Sequence, residues 1–139
     1  GLRTNAEHAV LNANYLRVHL QKTYNVPFDR TCMHEFVCQG DVERSGVRAI
    51  DVSKRLMDFG FHPPTNYFPL IVQEALMIEP TETESKQTLD AFIAAMLQIV
   101  QEAKSDPGIV LNAPHSAPVK RLNEVKAARR PVFCEPDGS

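Results

Sequence analysis

Apolar residues recur at helical spacing in three stretches of the chain and form short apolar runs between them. After Thr4-x-x-Glu7, which has the form of a capping box, Val10, Ala13, Leu16 and Leu20 fall on one face. This predicts a first helix that Asn25-Val26-Pro27 stops near residue 23. Residues 32–38, Cys-Met-His-Glu-Phe-Val-Cys, read as a strand, with Phe36 and Val37 as β-formers and Gly40 just beyond. Ser45 is a candidate cap for a second helix in which Ala49, Val52, Leu56 and Phe59 share a stripe, and Gly60 stands where a left-handed residue closes helices. His62-Pro63-Pro64-Thr65 must be loop, because neither proline donates a hydrogen bond and each restricts its predecessor. Ala75–Glu79 is a buried strand by its composition. Thr83 or Ser85 then caps a third helix, whose Leu89, Phe92, Ile93, Met96, Leu97, Val100 and Ala103 make an unbroken apolar face up to Asp106-Pro107-Gly108.

The order helix, strand, helix, strand, helix, with a possible further strand at 66–72 in which Pro69 disfavours a central position, predicts an α+β (α/β) domain. It consists of a small sheet with helices packed on one face. Residues 1–139 are read as one domain, opened by the 1–23 helix and closed by a Pro-rich tail over 107–139. That tail carries five of the ten prolines and a short helical pattern at Leu122, Val125 and Ala128. With Ile109, Val110, Leu111, Val119, Val132 and Phe133 it is too apolar for a solvated linker, so it is expected to lie along a surface, its own domain's or a partner's.

Composition narrows the function. At 43% hydrophobic and 23% charged residues the chain is ordinary globular material, and its formal charge of −2 gives no electrostatic footprint for nucleic acid. No apolar run approaches the roughly 20 residues that cross a bilayer, and no signal-peptide pattern opens the chain. A soluble protein without nucleic-acid or membrane partners is expected. Three cysteines, Cys32, Cys38 and Cys134, make a sparse set that suits a reducing compartment. A first residue Gly1 instead of Met, with a helix starting at once, points to a piece of a longer polypeptide.

Candidate chemistry is thin. On an extended strand Cys32, His34 and Cys38 would share a side, but residues 32 and 38 would stand roughly 20 Å apart, too far for a closed zinc site. A buried strand face with a hydrogen-bonded histidine is the expectation, and no metal. No nucleophile signature or phosphate-binding glycine loop occurs, and most of the six lysines fall on polar helix faces or helix ends, where a Schiff base would lack the desolvation it needs. The acidic stretch Glu79–Glu84 reads as the first-turn acids and caps of the third helix. His62–Thr65, followed by Tyr67 and Phe68, is stiff and polar at both ends: either a loop presenting groups to a neighbour or a rigid turn.

Longer motifs go further. Met33-His34-Glu35-Phe36-Val37, Asp58-Phe59-Gly60-Phe61-His62-Pro63-Pro64-Thr65 running to Tyr67–Val72, and Ala75-Leu76-Met77-Ile78-Glu79-Pro80-Thr81-Glu82-Thr83-Glu84-Ser85-Lys86 occur in that order. Together with Asn112-Ala113-Pro114-His115 and Val119–Arg129, they resemble the C-terminal region of the glycine cleavage system P-protein, the decarboxylating glycine dehydrogenase. The short tail looks most like that of the second subunit of the two-subunit bacterial form.

The resemblance implies the C-terminal small domain of an aspartate-aminotransferase-like, fold type I pyridoxal phosphate enzyme in the bacterial cytoplasm. Such an enzyme releases glycine's carboxylate as CO₂ and passes the aminomethyl group to the lipoyl arm of H-protein. The implied partners are the large domain of the same subunit, the other P-protein subunit, lipoylated H-protein and glycine. The family's cofactor lysine lies in a His-Lys-Thr context absent here, so no catalytic or cofactor-binding residue is assigned and the 139 residues alone are expected to bind no pyridoxal phosphate and to be inactive. By position in the matching motifs, His34, His62, Thr65 and His115 are candidates for lining the cleft, the carrier-arm channel or a subunit boundary. Relative to the family, 38–44 looks shortened and 134–139 extended. The competing reading is a stand-alone, non-catalytic interaction or regulatory module of the same fold.

Overall fold

A computed structural model of the protein describes residues 1–133; the closing segment 134–139, with Cys134 and the family-atypical extension, lies outside them. Helix α1 spans Leu2–Leu20, strand β1 Phe36–Gln39, helix α2 Ala49–Asp58, strand β2 Thr65–Asn66, strand β3 Ala75–Ile78, helix α3 Lys86–Ser105, helix α4 Pro107–Leu111 and helix α5 Glu124–Arg129. The strands form an antiparallel sheet in the order β1-β3-β2. Phe36 lies opposite Ile78 and Cys38 opposite Leu76, while Thr65 faces Met77 from the other edge.

That register sorts side chains by face, since neighbours along a strand point to opposite sides. Phe36, Cys38, Leu76 and Ile78 point into the main core, where Leu16 and Leu20 of α1, Val52 and Leu56 of α2, and Phe92, Met96 and Ile99 of α3 meet them. The helices thus share one face of the sheet. The opposite face carries Val37, Ala75 and Met77, which pack with Val72 from the segment between β2 and β3. Met96 and Ile99 are sealed from solvent, and burying a side chain of that size contributes roughly 1.5–3 kcal/mol. Gly40 lets β1 close on this core: a Cβ there would stand 2.7 Å from Leu76 Cδ1 and 2.8 Å from the Ala49 Cα.

Several boundaries differ from the expectation. Helix α1 begins at Leu2 after Gly1, so Thr4 lies inside the helix and caps nothing, and Glu7 pairs instead with Arg3, four residues back, at 2.8 Å. The strand expected over 32–38 shrinks to Phe36–Gln39. Asn14 of α1 takes Cys32 out of it, donating from Nδ2 to the Cys32 carbonyl (2.8 Å) and accepting the Cys32 N–H at Oδ1 (3.0 Å). Cys32, His34 and Cys38 therefore do not share a strand face. Ser45 does not cap α2: it is used in a turn, donating to the Val42 carbonyl and accepting from Val47 N–H. Helix α2 opens at Arg48, whose N–H donates to Asp51 Oδ2 at 2.8 Å, and Glu74 from the far side accepts the Ala49 N–H at 2.9 Å. The possible strand at 66–72 is reduced to Thr65–Asn66. Helix α3 is capped by Ser85, which accepts the Thr88 N–H, and no acid lies in its first turn. The carboxylates of 79–84 therefore precede the helix instead of complementing its dipole from within.

The tail follows its own domain at first. Asp106 caps α4 by accepting the Gly108 N–H, and Val110, Ala113 and Pro114 are buried. Beyond them α5 is exposed along its whole length.

Candidate functional site

The cleft that holds two of the candidate residues forms where α2 ends. Phe61 N–H donates to the Leu56 carbonyl and Gly60 N–H to the Met57 carbonyl, the paired bonds of a Schellman closure, with Gly60 at φ 82° as the expectation required. The closure drops Phe61 edge-on against Phe92 of α3, ring centroids 5.3 Å apart. His62, Pro63, Pro64 and Thr65 then run along one wall of a cleft of about 410 Å³. Leu16, Ile78, Leu89 and Phe92 contribute its apolar lining, and Glu79, Thr81, Glu84 and Thr88 are its other polar members. The polar side is held by α1: Asn12 Nδ2 donates to the carbonyls of Thr81 (2.9 Å) and Glu84 (3.3 Å). Across the sheet, Ser53 donates to Asn66 Oδ1 at 2.8 Å and so fastens β2 to α2.

The four candidates separate. His62 and Thr65 lie on the cleft wall, both exposed. His34 sits on the loop before β1 and reaches the cleft through Glu79, its Nε2 3.8 Å from Glu79 Oε1 and 3.9 Å from Glu35 Oε2. His115 belongs to a different assembly at the C-terminal end of α2. Its N–H donates to Asp58 Oδ1 (2.7 Å), which also accepts the N–H (2.7 Å) and hydroxyl (2.8 Å) of Ser116, while its ring Nε2 contacts the Ile109 carbonyl. Asp58 Oδ2 accepts from Arg55, which forks onto Glu102 through Nε (2.9 Å) and Nη2 (3.0 Å). Burial pushes the Asp58 carboxyl up, but the donors from Ser116, Arg55 and His115 outweigh it and bring it down to about 2. Glu102 is likewise held below the usual carboxylate range by its bond from Arg55. A second carboxylate, the buried Asp51, takes Arg121 at 2.5 Å, and Arg121 Nε also donates to the Ala113 carbonyl. Asp58 and Asp51 together strap residues 113–121 across α2.

Sequence reasoning missed Glu79 and Glu84 as cleft residues because they looked like helix-end material, and it gave Thr88 no role. The signal available was the Glu79-Pro80 break directly after an apolar strand, which turns the chain out of the sheet. It also missed Asp58, whose partners lie 57 and 58 positions away.

Among the described residues, the carboxylates lining the cleft are those of Glu79 and Glu84, and neither lysine nor arginine lines it. This disfavours a phosphate-bearing cofactor there. The lysines do not provide a Schiff-base amine elsewhere among the described residues: five are exposed and Lys54 is half-buried. Lys86, next to the cleft, has its ammonium stabilised by a hydrogen bond to Asp90 at 2.6 Å, which pushes its pKa up, away from a reactive free amine. The residues present do not fit pyridoxal phosphate as a covalent ligand. No group of histidine, cysteine and carboxylate side chains among the described residues is placed to hold a metal ion, and no described helix is long and apolar enough to cross a membrane.

These features define a class: a small α+β domain with a three-stranded antiparallel sheet, helices on one face, and a carboxylate-edged apolar cleft between the α2 closure and the start of α3. The chain belongs to the glycine dehydrogenase C-terminal-domain family, whose profile matches residues 5–115. It is 62% identical over 134 residues to the probable glycine dehydrogenase (decarboxylating) subunit 2 of Caldanaerobacter subterraneus, a match covering 96% of this chain and 28% of that protein. The equivalent proteins of Listeria welshimeri and Bacillus velezensis are 61% and 59% identical, with 28% and 27% of their lengths covered. The chain thus spans a little over a quarter of the length of the curated relatives it matches.

Proposed function

We propose that residues 1–139 are the C-terminal small domain of subunit 2 of a two-subunit, bacterial, cytoplasmic glycine dehydrogenase, with the aminotransferase-like architecture of pyridoxal phosphate enzymes. In the whole enzyme the carboxylate of glycine leaves as CO₂ and the aminomethyl group passes to the lipoyl arm of H-protein. Pyridoxal phosphate, carried on a lysine outside this chain, supplies the electron sink. Helix α1 leads in from the large domain, and the tail after residue 107 closes the lobe. The observation that carries this reading is the near-complete match of this chain to proteins named as that subunit.

The cleft supports a reading of what the domain contributes. His62 and Thr65, backed by His34 and Glu79, form a wall with apolar depth and a polar rim, suited to orient a substrate and exclude water. His115 serves a different end, holding the tail against α2 where a subunit boundary forms. The test compares this chain with the longer subunit carrying it, assembled with its companion subunit. Under glycine and pyridoxal phosphate, the 139 residues should release no labelled CO₂ and retain no cofactor after borohydride, whereas the assembly does both. His62→Ala and Thr65→Ala in the assembly should each lower kcat/KM at least tenfold. Covalent cofactor on residues 1–139, or full activity in both variants, sinks the proposal. A transcript that starts just upstream of Gly1 favours the stand-alone module instead.

A further inference from the structure

Between β2 and β3 the chain presents an apolar knob that the other described residues leave uncovered. Leu70 and Ile71 are 88% and 83% exposed, and Phe68 and Tyr67 flank them, half-exposed. A solvated loop of this kind is normally polar and loosely held. This one is braced: Tyr67 N–H donates to the Ala75 carbonyl (2.8 Å), Val72 N–H to the Pro69 carbonyl (3.0 Å), and the Val72 side chain is buried against the outer sheet face. Tyr67 and Glu74, at its two ends, occupy left-handed backbone (φ 60° and 49°), a conformation that non-glycine residues keep only where their surroundings impose it. Those surroundings are visible. Glu74 accepts from Nε and Nη2 of Arg48 and from the Ala49 N–H, and the Arg48 guanidinium lies 5.8 Å over the Tyr67 ring. The buried Val72 side chain and the Arg48–Glu74 pair thus hold four apolar side chains out into solvent.

We infer that this knob, centred on Leu70 and Ile71, is where the domain docks on the remaining portion of its own longer subunit; the inference rests on the subunit assignment proposed above. Two observations select that occupant. The relatives of this chain are more than three times the length it spans, so most of their polypeptide is available to cover it. The knob is four side chains, far short of the roughly 20–30 residues per side that a free complex uses. A covalently attached neighbour, present at an effective concentration in the millimolar range, needs no larger patch.

The experiment uses the 139-residue chain and the longer subunit that carries it, each footprinted with hydroxyl radicals and read residue by residue. In the longer subunit, modification of Phe68, Leu70 and Ile71 is expected to fall at least fivefold relative to the short chain, and the protection is expected to survive a hundredfold dilution. The double variant Leu70→Ser with Ile71→Ser should leave the short chain's melting temperature unchanged and lower that of the longer subunit. Equal modification in both proteins overturns the inference. So does protection lost on dilution, which assigns the knob to a second copy, or protection gained only on adding the companion subunit. If the knob is protected but the assembly releases no CO₂ from glycine, the docking stands and the functional assignment fails. An active assembly with an open knob gives the reverse.

Discussion

Replacing Asp58 by asparagine keeps the side chain's shape and removes its charge at the point where the tail is strapped to α2. In the wild type one carboxylate, nearly sealed from solvent, accepts from two backbone N–H groups, the Ser116 hydroxyl and Arg55. Hydrogen bonds to a charged group contribute about 1.5–3 kcal/mol each where neutral ones contribute about 0.5–1.5, and they are not additive. The lowering of the Asp58 carboxyl from 3.8 to about 2 leads independently to about 2 kcal/mol of preferential stabilisation of the ionised form. The sign follows from the depressed pKa. The contribution is fully present above the unfolded value of 3.8 and disappears as pH falls through about 2. Two assays read it. In urea denaturation near neutral pH, Asp58→Asn should lie about 2 kcal/mol below wild type if the strap opens only with the whole domain. If the strap opens locally, native-state exchange of the His115 and Ser116 amides should accelerate about thirtyfold, the same free energy expressed as a rate. Either difference should shrink toward zero as the medium approaches about pH 2. A gap of the same size at acid and neutral pH would refute the charge-based account. So would unchanged stability together with unchanged exchange.

Further outcomes follow from the packing. Gly40→Ala places a methyl against Leu76 and the Ala49 backbone, and overpacking of that kind should lower stability by about 1–3 kcal/mol in urea titration. Tyr24, sealed in the core with its hydroxyl donating to the Met96 carbonyl at 2.9 Å, has its pKa pushed up by burial. In an ultraviolet absorbance titration it should therefore be the last of the three tyrosines to ionise, and only with unfolding. Burial raises the Cys38 thiol to about 12 and leaves it with no access. In a Cys134→Ser background, a thiol reagent should label Cys32 in the native state and reach Cys38 only on denaturation. Asn14→Ala removes both bonds to Cys32, and the 25–32 segment should become protease-sensitive at a stability cost of about 1–2 kcal/mol.

The family resemblance was legible in the motifs at 33–37, 58–72 and 75–86, and the comparisons place the chain in that family. The candidate site was legible only in part. His62 and Thr65 are three positions apart in one loop and arrive on the same wall, but His34 reaches it only through Glu79, and His115 lies with Asp58 instead.

What the sequence determined by itself were the features whose causes lie within a few residues. The apolar period, with a cap at Thr83 or Ser85, defines α3, Gly60 supplies the left-handed turn that ends α2, and the run at 75–79 is short and apolar enough for a buried strand, which the structure has over Ala75–Ile78. What the tertiary structure decided were the competitions between local preference and a distant partner. Asn14 draws Cys32 out of β1, Glu74 supplies the distant acceptor at the start of α2 while Ser45 is spent in a turn, and Asp58 and Asp51 hold a tail otherwise rich in prolines. A buried carboxylate or amide must find donors or acceptors wherever the fold brings them, and pattern along the chain carries no record of what lies across it.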